Sequence, residues 1–293
     1  MLSAVVLHYR RPDALAHTLA SLRAAPRCDE IIVVDNASAD DTPDRVPREF
    51  PGVRVLALDA NRGVEGFNRG VLAARGDLLL ILDDDASPDP DALRAALDLL
   101  AREPGVVGVA LHPRHPRTGA TEWPFAREAR GGFPVMGCAN IVRRDAWDRV
   151  GGYEPAFFLY RNDVDLALKL LGAGLDVRFD PAWVAWHDSP AAARKSDRWL
   201  RLATRNWVWL AKRHGRGVPA LLGGVAGVAR ALLHAGANPA RVRRVLAGAW
   251  EGLATPAPAL PSCVARDGRA WRAFMRLRRG RTPTPPGASS GRA

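Results

Sequence analysis

Short apolar runs alternate with longer amphipathic stretches over the first third of the chain. The apolar runs lie within 3–9, 30–35, 53–58 and 78–82, and each is followed by polar or acidic residues. Short apolar runs of this kind between turn signals are typical of buried parallel strands. The first intervening stretch places Leu15, Leu19 and Leu22 at helical spacing. Strands that alternate with helices predict βαβ units, and therefore an α/β fold with a mostly parallel sheet flanked by helices.

The fourth apolar run is the stretch around which we expect the fold to be organised. Leu78–Leu82 leads directly into Asp83, Asp84 and Asp85, and a loop is predicted over 86–90 before the next helix. The carboxylates then lie at the C-terminal end of a central strand, where open α/β sheets bind ligands. Adjacent carboxylates repel one another unless a cation or hydrogen-bond donors are near. A divalent metal ion meets that need, and a solvated turn that caps the following helix is the alternative.

The rest of the chain divides into a less regular middle and a helical end. Strands are predicted at 106–111, 135–142, 177–179 and 183–186, with a Pro-, Gly- and Arg-rich loop region at 113–132. After residue 190 the strand signals stop, and helices are predicted at 196–214, 218–234, 240–253 and 268–280. Residues 281–293 have the composition of a disordered tail. We predict a catalytic domain over 1–210, with halves meeting near 112, and a basic helical extension over 211–280.

Charge is distributed unevenly along the 293 residues. The formal net charge is +11, yet residues 190–293 hold 20 Lys and Arg against 3 Asp and Glu, whereas residues 1–189 hold 22 against 28. This asymmetry predicts an acidic catalytic part and a basic extension that contacts an anionic partner, such as a membrane surface. A general bias towards arginine is the alternative explanation.

The cysteines and the apolar segments bear on the cellular compartment of the protein. Cys28, Cys138 and Cys263 are far apart and odd in number, which favours a reducing environment without a disulfide framework. The first apolar run is too short for a signal peptide. The longest uncharged apolar stretch, Val218–Ala229, ends at Arg230, so no spanning helix is expected. We therefore expect a cytoplasmic protein, with peripheral contact at the cytoplasmic face of the membrane as an option.

Two common phosphate-binding motifs are missing. No G-x-G-x-x-G follows the first predicted strand, and no Walker lysine loop occurs. Any nucleotide phosphates must therefore be met by a metal ion and by scattered donors.

Several motifs occur in one order along residues 1–210. They are Val5–Tyr9, Val33–Ser38, Asn61–Gly63 with Asn68, the acidic strand end at 83–85, and Asn162–Leu166 with His187. In this order the set resembles the family-two inverting glycosyltransferases of GT-A fold, and most closely the bacterial branch with rhamnosyl- and galactofuranosyltransferases. Each motif alone is weak, and the ordered set carries the resemblance.

The resemblance implies a role for each matching residue. Asp35 would bind the nucleobase, Asp83 the ribose or base, and Asp85 with His187 a Mn²⁺ or Mg²⁺ ion on the diphosphate. Asp163 would be the general base. The full set implied for the nucleotide sugar is Tyr9, Asp35, Asn61, Asn68, Asp83 and Asp84. For the acceptor we name Asn162, Trp123 and Arg205.

The chemistry of such a reaction agrees with these residue types. A metal neutralises the diphosphate leaving group, and carboxylates with one imidazole suit Mn²⁺ or Mg²⁺. A carboxylate that accepts the proton of the attacking hydroxyl contributes about 10²–10⁴ in rate. A single displacement of this kind inverts the anomeric centre.

Some positions depart from the family pattern or allow a simpler interpretation. Many relatives have Glu-Asp where this chain has Asn162-Asp163, so any role of the missing carboxylate in placing the acceptor is in question. Asp163 could instead cap a helix, Asp35 could cap a turn, and His187 could be a histidine at the edge of the core.

We therefore predict a metal-dependent inverting transferase that moves a sugar from a UDP- or dTDP-linked donor to a glycan or lipid-linked hydroxyl acceptor. A sugar nucleotidylyltransferase and a non-catalytic carbohydrate- or membrane-binding protein are the alternatives. No nucleic-acid partner is expected. In 270–280, Trp271, Phe274 and Met275 oppose four arginines, a pattern that predicts an interfacial helix on an anionic membrane.

Overall fold

A single eight-stranded sheet forms the centre of the protein. The computed structural model describes residues 1–25, 28–121, 136–188 and 195–277. The strands, in chain order, are β1 Leu2–His8, β2 Glu30–Asp35, β3 Arg54–Ala57, β4 Leu78–Asp83, β5 Ala86–Pro88, β6 Val106–Arg114, β7 Ala139–Arg143 and β8 Asp176–His187. Their spatial order is β3-β2-β1-β4-β7-β6-β8-β5.

The sheet is mixed, with a parallel half and a half that contains antiparallel pairs. Strands β3, β2, β1 and β4 are parallel neighbours, as βαβ connections require. Strand β7 runs antiparallel to both β4 and β6, while β8 is parallel to β6. The mostly parallel α/β sheet flanked by helices is therefore confirmed.

Ten α-helices occur in the described ranges. They are α1 Pro12–Ala24, α2 Thr42–Glu49, α3 Glu65–Ala73, α4 Pro90–Arg102, α5 Arg144–Val150, α6 Asn162–Gly172, α7 Asp197–His214, α8 Gly217–Ala235, α9 Pro239–Ala254 and α10 Arg269–Leu277. The predicted C-terminal helices are confirmed to within a few residues wherever they are described. The predicted tail at 281–293 lies outside the described residues, and the domain boundaries remain predictions.

Two strand predictions were wrong. The loop predicted over 86–90 contains β5, which pairs antiparallel with β8 through Ala86 and His187. The two short strands predicted at 177–179 and 183–186 are one strand, because a register shift against β6 absorbs the irregularity between them. Both errors have the same cause, since pairing with a distant strand leaves no local hydrophobic signal.

The hydrophobic core lies on both faces of the sheet and extends into the C-terminal helices. One core cluster joins strand residues such as Val5 and Ile81 to Trp207 of α7 and to Trp271 and Phe274 of α10. Trp271 and Phe274 are 0% and 2% exposed. The prediction that α10 is an interfacial helix was therefore wrong, because its aromatic side packs against the protein. The three cysteines form no disulfide bond.

The parallel strands bring their polar ends to one edge of the sheet. In register, His8 of β1 lies beside Asp35 of β2, and Leu7 lies beside Asp83 of β4. Because parallel strands all end on the same side, residues far apart in sequence meet there. This edge is where the candidate site lies.

Candidate active site

A cavity of about 570 Å³ opens at the C-terminal edge of the parallel strands. Among the residues predicted from sequence, those that line it are Tyr9, Asn61, Asp83, Asp84, Asp85, Asn162, Asp163 and His187. The cavity thus combines the strand-end acids with the start of α6. Trp123 lies outside the described residues.

Two carboxylates and one imidazole converge on the floor of the cavity. The Nε2 atom of His187 lies 3.1 Å from Oδ1 of Asp85 and 3.9 Å from Oδ2 of Asp83. One possible ligand atom from each of the three residues lies within 4.8 Å of the other two. The pairing of β5 with β8 produces this arrangement, because it sets His187 opposite Ala86, the residue that follows Asp85.

Arg11 supplies a positive charge to this cluster, and its role was not foreseen from the sequence. Its guanidinium contacts Oδ1 of Asp84 and Oδ2 of Asp85. Burial opposes the charged form of Arg11, but the carboxylates outweigh burial and raise its pKa. Burial also opposes charge on Asp85, yet the hydrogen bond to His187 and the Arg11 charge lower the pKa of Asp85. The acid predicted to bind metal is therefore held ionised.

Asp83 has the opposite electrostatic environment. Desolvation within the cavity raises its pKa to about 7, and the charges of Asp85 and Asp84 add to the shift while His187 opposes it. Neighbouring acids with divergent pKa values are typical of functional sites. A cation bound at the cluster would reduce the repulsion between the three carboxylates, so the electrostatics favour its binding.

Asp84 borders the cavity, but its carboxylate is engaged by the loop after β1. Its side chain is fully buried, accepts a hydrogen bond from the Tyr9 backbone amide at 3.1 Å, and bonds to Nδ1 of His8 at 2.9 Å. Thr42 lies 3.2 Å from the other ring nitrogen of His8. Asp84 therefore fixes the loop after β1, and its predicted contact with the nucleotide sugar stays a prediction.

Of the other predicted nucleotide contacts, Tyr9 and Asn61 line the cavity, whereas Asp35 and Asn68 do not. Asp35 is buried, and its carboxylate accepts a hydrogen bond from the Ser38 amide, as expected for the turn-capping alternative. The Asn68 side chain bonds both the amide and the carbonyl of Tyr153. Asn68 therefore positions the loop before α6, and its predicted contact with the nucleotide sugar stays a prediction.

Asp163 lies in the first turn of α6. The helix begins at Asn162, and Arg161 occupies the capping position, so the capping alternative for Asp163 was wrong. Burial raises the pKa of the Asp163 carboxyl, while Arg161 and the Val164 amide favour the charged form. A carboxylate with a raised pKa beside an open cavity is suited to accept a proton.

The backbone that leads into α6 is strained and is tied down by α7. Phe158, Tyr160 and Arg161 all have left-handed φ angles, of 62°, 69° and 67°, a conformation that costs free energy for a residue with a side chain. The buried Asn206 amide donates to the carbonyls of Phe157, Leu159 and Tyr160 at 2.8–3.0 Å. Gly63 permits the close approach of this segment, since a Cβ there would lie 2.1 Å from the Phe158 carbonyl oxygen.

Arg205 takes part in the same restraint. Its guanidinium donates to the carbonyls of Ala156 and Phe157 and pairs with Glu251. It does not line the cavity. Arg205 therefore positions the segment before α6, and its predicted contact with the acceptor stays a prediction.

The side of the cavity formed by α7 is cationic and aromatic. Arg161, Lys195, Arg198 and Trp199 line it. The Arg161 guanidinium lies 5.6 Å from the Trp199 ring centre, and Arg198 lies 4.9 Å from the ring centre of Phe158. Sequence reasoning missed this side, because the residues belong to two distant segments that only tertiary packing brings together.

Asp165 lies on a different face of α6 from Asp163 and anchors this helix to α7. Its Oδ1 lies 2.7 Å from Nε2 of His214 and 3.1 Å from Nε of Arg213, and its Oδ2 lies 3.7 Å from Nζ of Lys169. All four side chains are buried. Burial opposes the charge, but Lys169, His214 and Arg213 lower the pKa of Asp165 to about 2.

We expect Asp165→Asn to lower the free energy of unfolding by about 3–5 kcal/mol, because it leaves buried cations without their carboxylate. The pKa of Asp165 is depressed in the folded state, so its stabilisation is complete above the ordinary pKa of about 4 and is lost as the pH falls towards 2. Urea unfolding at pH 7, 5 and 3 measures the effect.

The exposed Asp148→Asn is the matched control on the neighbouring helix α5. The deficit of Asp165→Asn relative to this control should be largest at pH 7 and should shrink by pH 3. Equal stability of the two variants at pH 7 would show that the network does not anchor α6.

The donor set of the cluster fits a hard divalent cation. Two carboxylates and one imidazole suit Mn²⁺ or Mg²⁺, and the paired oxygens of Asp83 and Asp85 face the same space as His187. Arg11 neutralises part of the negative charge from one side of the cluster. A metal ion would bind on the other side, next to His187. Asp83 joins the predicted pair Asp85 and His187 as a third possible ligand.

Comparisons with known proteins place the chain in a family. Residues 3–165, more than half of the chain, match the family described as "Glycosyl transferase family 2". The N-acetylglucosaminyl-diphospho-decaprenol L-rhamnosyltransferase of Mycobacterium tuberculosis is 26% identical over 263 residues, which cover 73% of this chain and 85% of that protein. The succinoglycan biosynthesis protein ExoO of Rhizobium meliloti is 40% identical over 97 residues, 32% of this chain and 28% of ExoO.

Solved structures share the fold. The mannosyltransferase PcManGT from Pyrobaculum calidifontis, determined in complex with GDP-Man and Mn²⁺, matches with a TM-score of 0.58 at 24% identity, over 94% of this chain and 80% of that one. TarS 1-349 from S. aureus matches with a TM-score of 0.55 at 13% identity, over 85% and 71% of the two chains. These likenesses confirm the predicted GT-A fold. On the family match, the protein is a glycosyltransferase that belongs to glycosyl transferase family 2.

Proposed function

We propose that this glycosyltransferase moves a sugar from a UDP- or dTDP-linked donor to a hydroxyl acceptor, with inversion at the anomeric carbon and dependence on Mn²⁺ or Mg²⁺. The observation that carries the proposal is that one cavity is lined both by the Asp83, Asp85 and His187 cluster and by Asp163. The cluster is suited to bind a metal ion and a diphosphate, and Asp163 is suited to accept a proton.

The donor binds at the strand-end side of the cavity. Asp85 and His187 would hold the metal, with Asp83 available as a further ligand or as a contact to the ribose. The metal, when bound, neutralises the charge of the departing nucleoside diphosphate. Tyr9 and Asn61 line the same side and contact the nucleotide, while Asp84 and Arg11 fix the loop that carries Tyr9.

The acceptor binds at the side formed by α6 and α7. Asp163 accepts the proton of the attacking hydroxyl through a carboxylate oxygen, and the raised pKa of this carboxyl makes it a stronger base than an exposed aspartate. The restraint of 157–160 by Asn206 holds α6 at a fixed place. A carboxylate positioned in advance loses less orientational entropy when the reaction occurs. Asn162, the first residue of α6, contacts the acceptor.

The names of the relatives bear on the acceptor. The M. tuberculosis relative is named for transfer of rhamnose to a diphospho-decaprenol-linked sugar. A lipid-linked or surface-glycan acceptor, used at the cytoplasmic face of the membrane in cell-envelope synthesis, is therefore our proposal for this chain. The cationic α7 side of the cavity is compatible with an anionic acceptor of this kind.

A thermal-shift screen of nucleotide sugars tests the donor. With Mn²⁺ present, we expect a UDP- or dTDP-linked sugar to raise the melting temperature, because a ligand that binds only the folded state stabilises it. EDTA should remove the shift, and GDP-linked sugars serve as the comparison. If no nucleotide sugar raises the melting temperature, or if EDTA leaves the shift unchanged, the proposed donor and its metal dependence are contradicted.

A further inference from the structure

The exposed hydrophobic side chains of the protein are concentrated on two adjacent helices. Ten large hydrophobic residues are exposed in the described ranges, and eight of them lie on α8 and α9: Val218, Leu221, Leu222, Val225, Leu233, Leu246, Trp250 and Leu253. Their exposed fractions run from 52% to 82%. We call these eight residues the α8–α9 face. Soluble proteins rarely concentrate exposed apolar side chains on one part of the surface without a partner for them.

The opposite side of α8 is fixed to the protein by glycines and tryptophans. A Cβ at Gly227 would lie 1.7 Å from the Trp207 ring, and one at Gly223 would lie 2.5 Å from Trp271. The Trp207 indole donates to the Gly223 carbonyl at 2.7 Å, and Trp271 donates to that of Pro219 at 3.2 Å. Helix α8 therefore lies along the protein surface with its apolar side turned outwards.

Helix α8 also has the length and hydropathy of a membrane span, but its packing indicates a different position. It has 19 residues and a mean hydropathy of 1.5, and only a small part of it is buried. Its glycine side is already occupied by Trp207 and Trp271, and it contains Arg230. A helix with one packed side and one apolar side suits a position in the plane of a bilayer surface.

The chain segment that carries the α8–α9 face is strongly basic. Residues 211–254 contain a single acid, Glu251, which pairs with Arg201 and Arg205 of α7. Exposed cations occur in the same segment: Lys212 and Arg216 precede α8, Arg230 lies within α8, and Arg243 and Arg244 lie in α9. Of these, Lys212 also donates to carbonyls at the end of α9, and Arg244 pairs with Asp197. A second copy of the chain would bring these cations against their own equivalents. An anionic lipid surface neutralises them, at a gain of about 1 kcal/mol for each basic residue near the surface.

The packed side of α8, opposite the α8–α9 face, reaches a cleft beside the cavity. Gly227, Arg230 and Ala231 of α8 border a small cleft together with Arg161 and Trp199. Arg161 and Trp199 also line the candidate active site. An apolar groove of about 470 Å³ between α7, α8 and α9 lies beside the exposed side chains, and among the described residues Lys212 is the only charged one that lines it.

We propose that the α8–α9 face docks the protein in the plane of an anionic phospholipid membrane, with its leucines, valines and Trp250 in the acyl boundary and its cations among the headgroups. This inference replaces α10 as the membrane contact. It stands whether or not the donor is the one proposed above.

Co-sedimentation of the full chain with vesicles tests the docking. We expect binding to vesicles that contain phosphatidylglycerol, and much weaker binding to pure phosphatidylcholine. Leu221→Asp should lower the partition coefficient at least about tenfold, because the membrane would no longer bury the leucine side chain. Arg243→Gln should lower it about fivefold. Neither residue lines the active-site cavity, so metal-dependent binding of a nucleotide sugar should be unchanged in both.

Matched controls separate the face from a general effect of charge. Leu72 is 78% exposed on α3, so Leu72→Asp makes the same substitution at a site outside the face. Arg48→Gln on α2 likewise removes one exposed arginine charge outside the face. Both controls should bind vesicles as the unmodified chain does. Absence of binding to anionic vesicles, or equal losses in Leu72→Asp and Leu221→Asp, would overturn the proposal. So would a lipid-free dimer, seen by sedimentation velocity, that Leu221→Asp dissociates, because a second copy would then cover the face.

Discussion

Replacement of Asp163 by asparagine is expected to lower the turnover number for sugar transfer by about 10²–10⁴ and to leave donor affinity unchanged. Asparagine keeps the shape of the side chain but cannot take the proton of the acceptor hydroxyl. The fold should tolerate the change, because Asp163 is not the cap of α6 and burial already disfavours its charge. Transfer kinetics at saturating donor measure the effect, with Asp148→Asn as the control.

The pH dependence provides a second test of the same role. A base acts only when it is deprotonated, so turnover should fall as the pH drops through the pKa of Asp163. Burial raises that pKa, which places the acidic limb above the ordinary value of about 3.9. The residual activity of Asp163→Asn should lack this limb. Near-normal turnover by the variant would falsify the assignment of Asp163 as the base.

Replacement of Asp85 by alanine is expected to abolish the metal dependence of nucleotide binding. Loss of a residue that only supports a metal ligand typically costs about 10–100-fold in metal affinity, and loss of a ligand should cost at least as much. Titration calorimetry of UDP and dTDP with Mn²⁺, with and without EDTA, measures the change. Arg11 keeps its contact with Asp84 in this variant, so the loop after β1 should remain in place.

Asp77→Ala is the matched control, because Asp77 precedes the same strand at its opposite end and its side chain is 89% exposed. It should bind nucleotide and metal normally. Near-ultraviolet circular dichroism checks that both variants are folded. Metal-dependent binding of UDP or dTDP by Asp85→Ala that matches this control would refute the metal assignment.

The position of the acidic cluster could be predicted from the sequence, but the direction of each side chain was not. An apolar run followed by acids locates the end of a central strand, and parallel strands end at one edge. Only Asp83 belongs to β4, whereas Asp84 and Asp85 form the turn that leads into β5. Asp83 and Asp85 face His187, and Asp84 points towards His8. Strand alternation does not apply within a turn, so these directions could not be predicted from the sequence.

The acceptor side of the cavity was less predictable, because it depends on packing between distant segments. Nothing in the local sequence of α7 indicates that Asn206 binds three carbonyls some 46 to 49 residues earlier. Similarly, the pattern of Trp271 and Phe274 fits a membrane-facing helix and a buried one equally well. Burial against Trp207 decides between them. Hydrophobic periodicity identifies the apolar side of a helix and does not identify its partner.

The most direct test of the proposed reaction is proton NMR of a nucleotide sugar that the thermal-shift screen identifies, incubated with the full chain, Mg²⁺ and a hydroxyl acceptor or water alone. The expected result is release of the nucleoside diphosphate together with a glycoside, or free sugar, of anomeric configuration opposite to that of the donor. EDTA or Asp163→Asn should suppress this release. A first product with retained configuration, or an unchanged rate in EDTA, would contradict the metal-dependent inverting transfer proposed for this cavity.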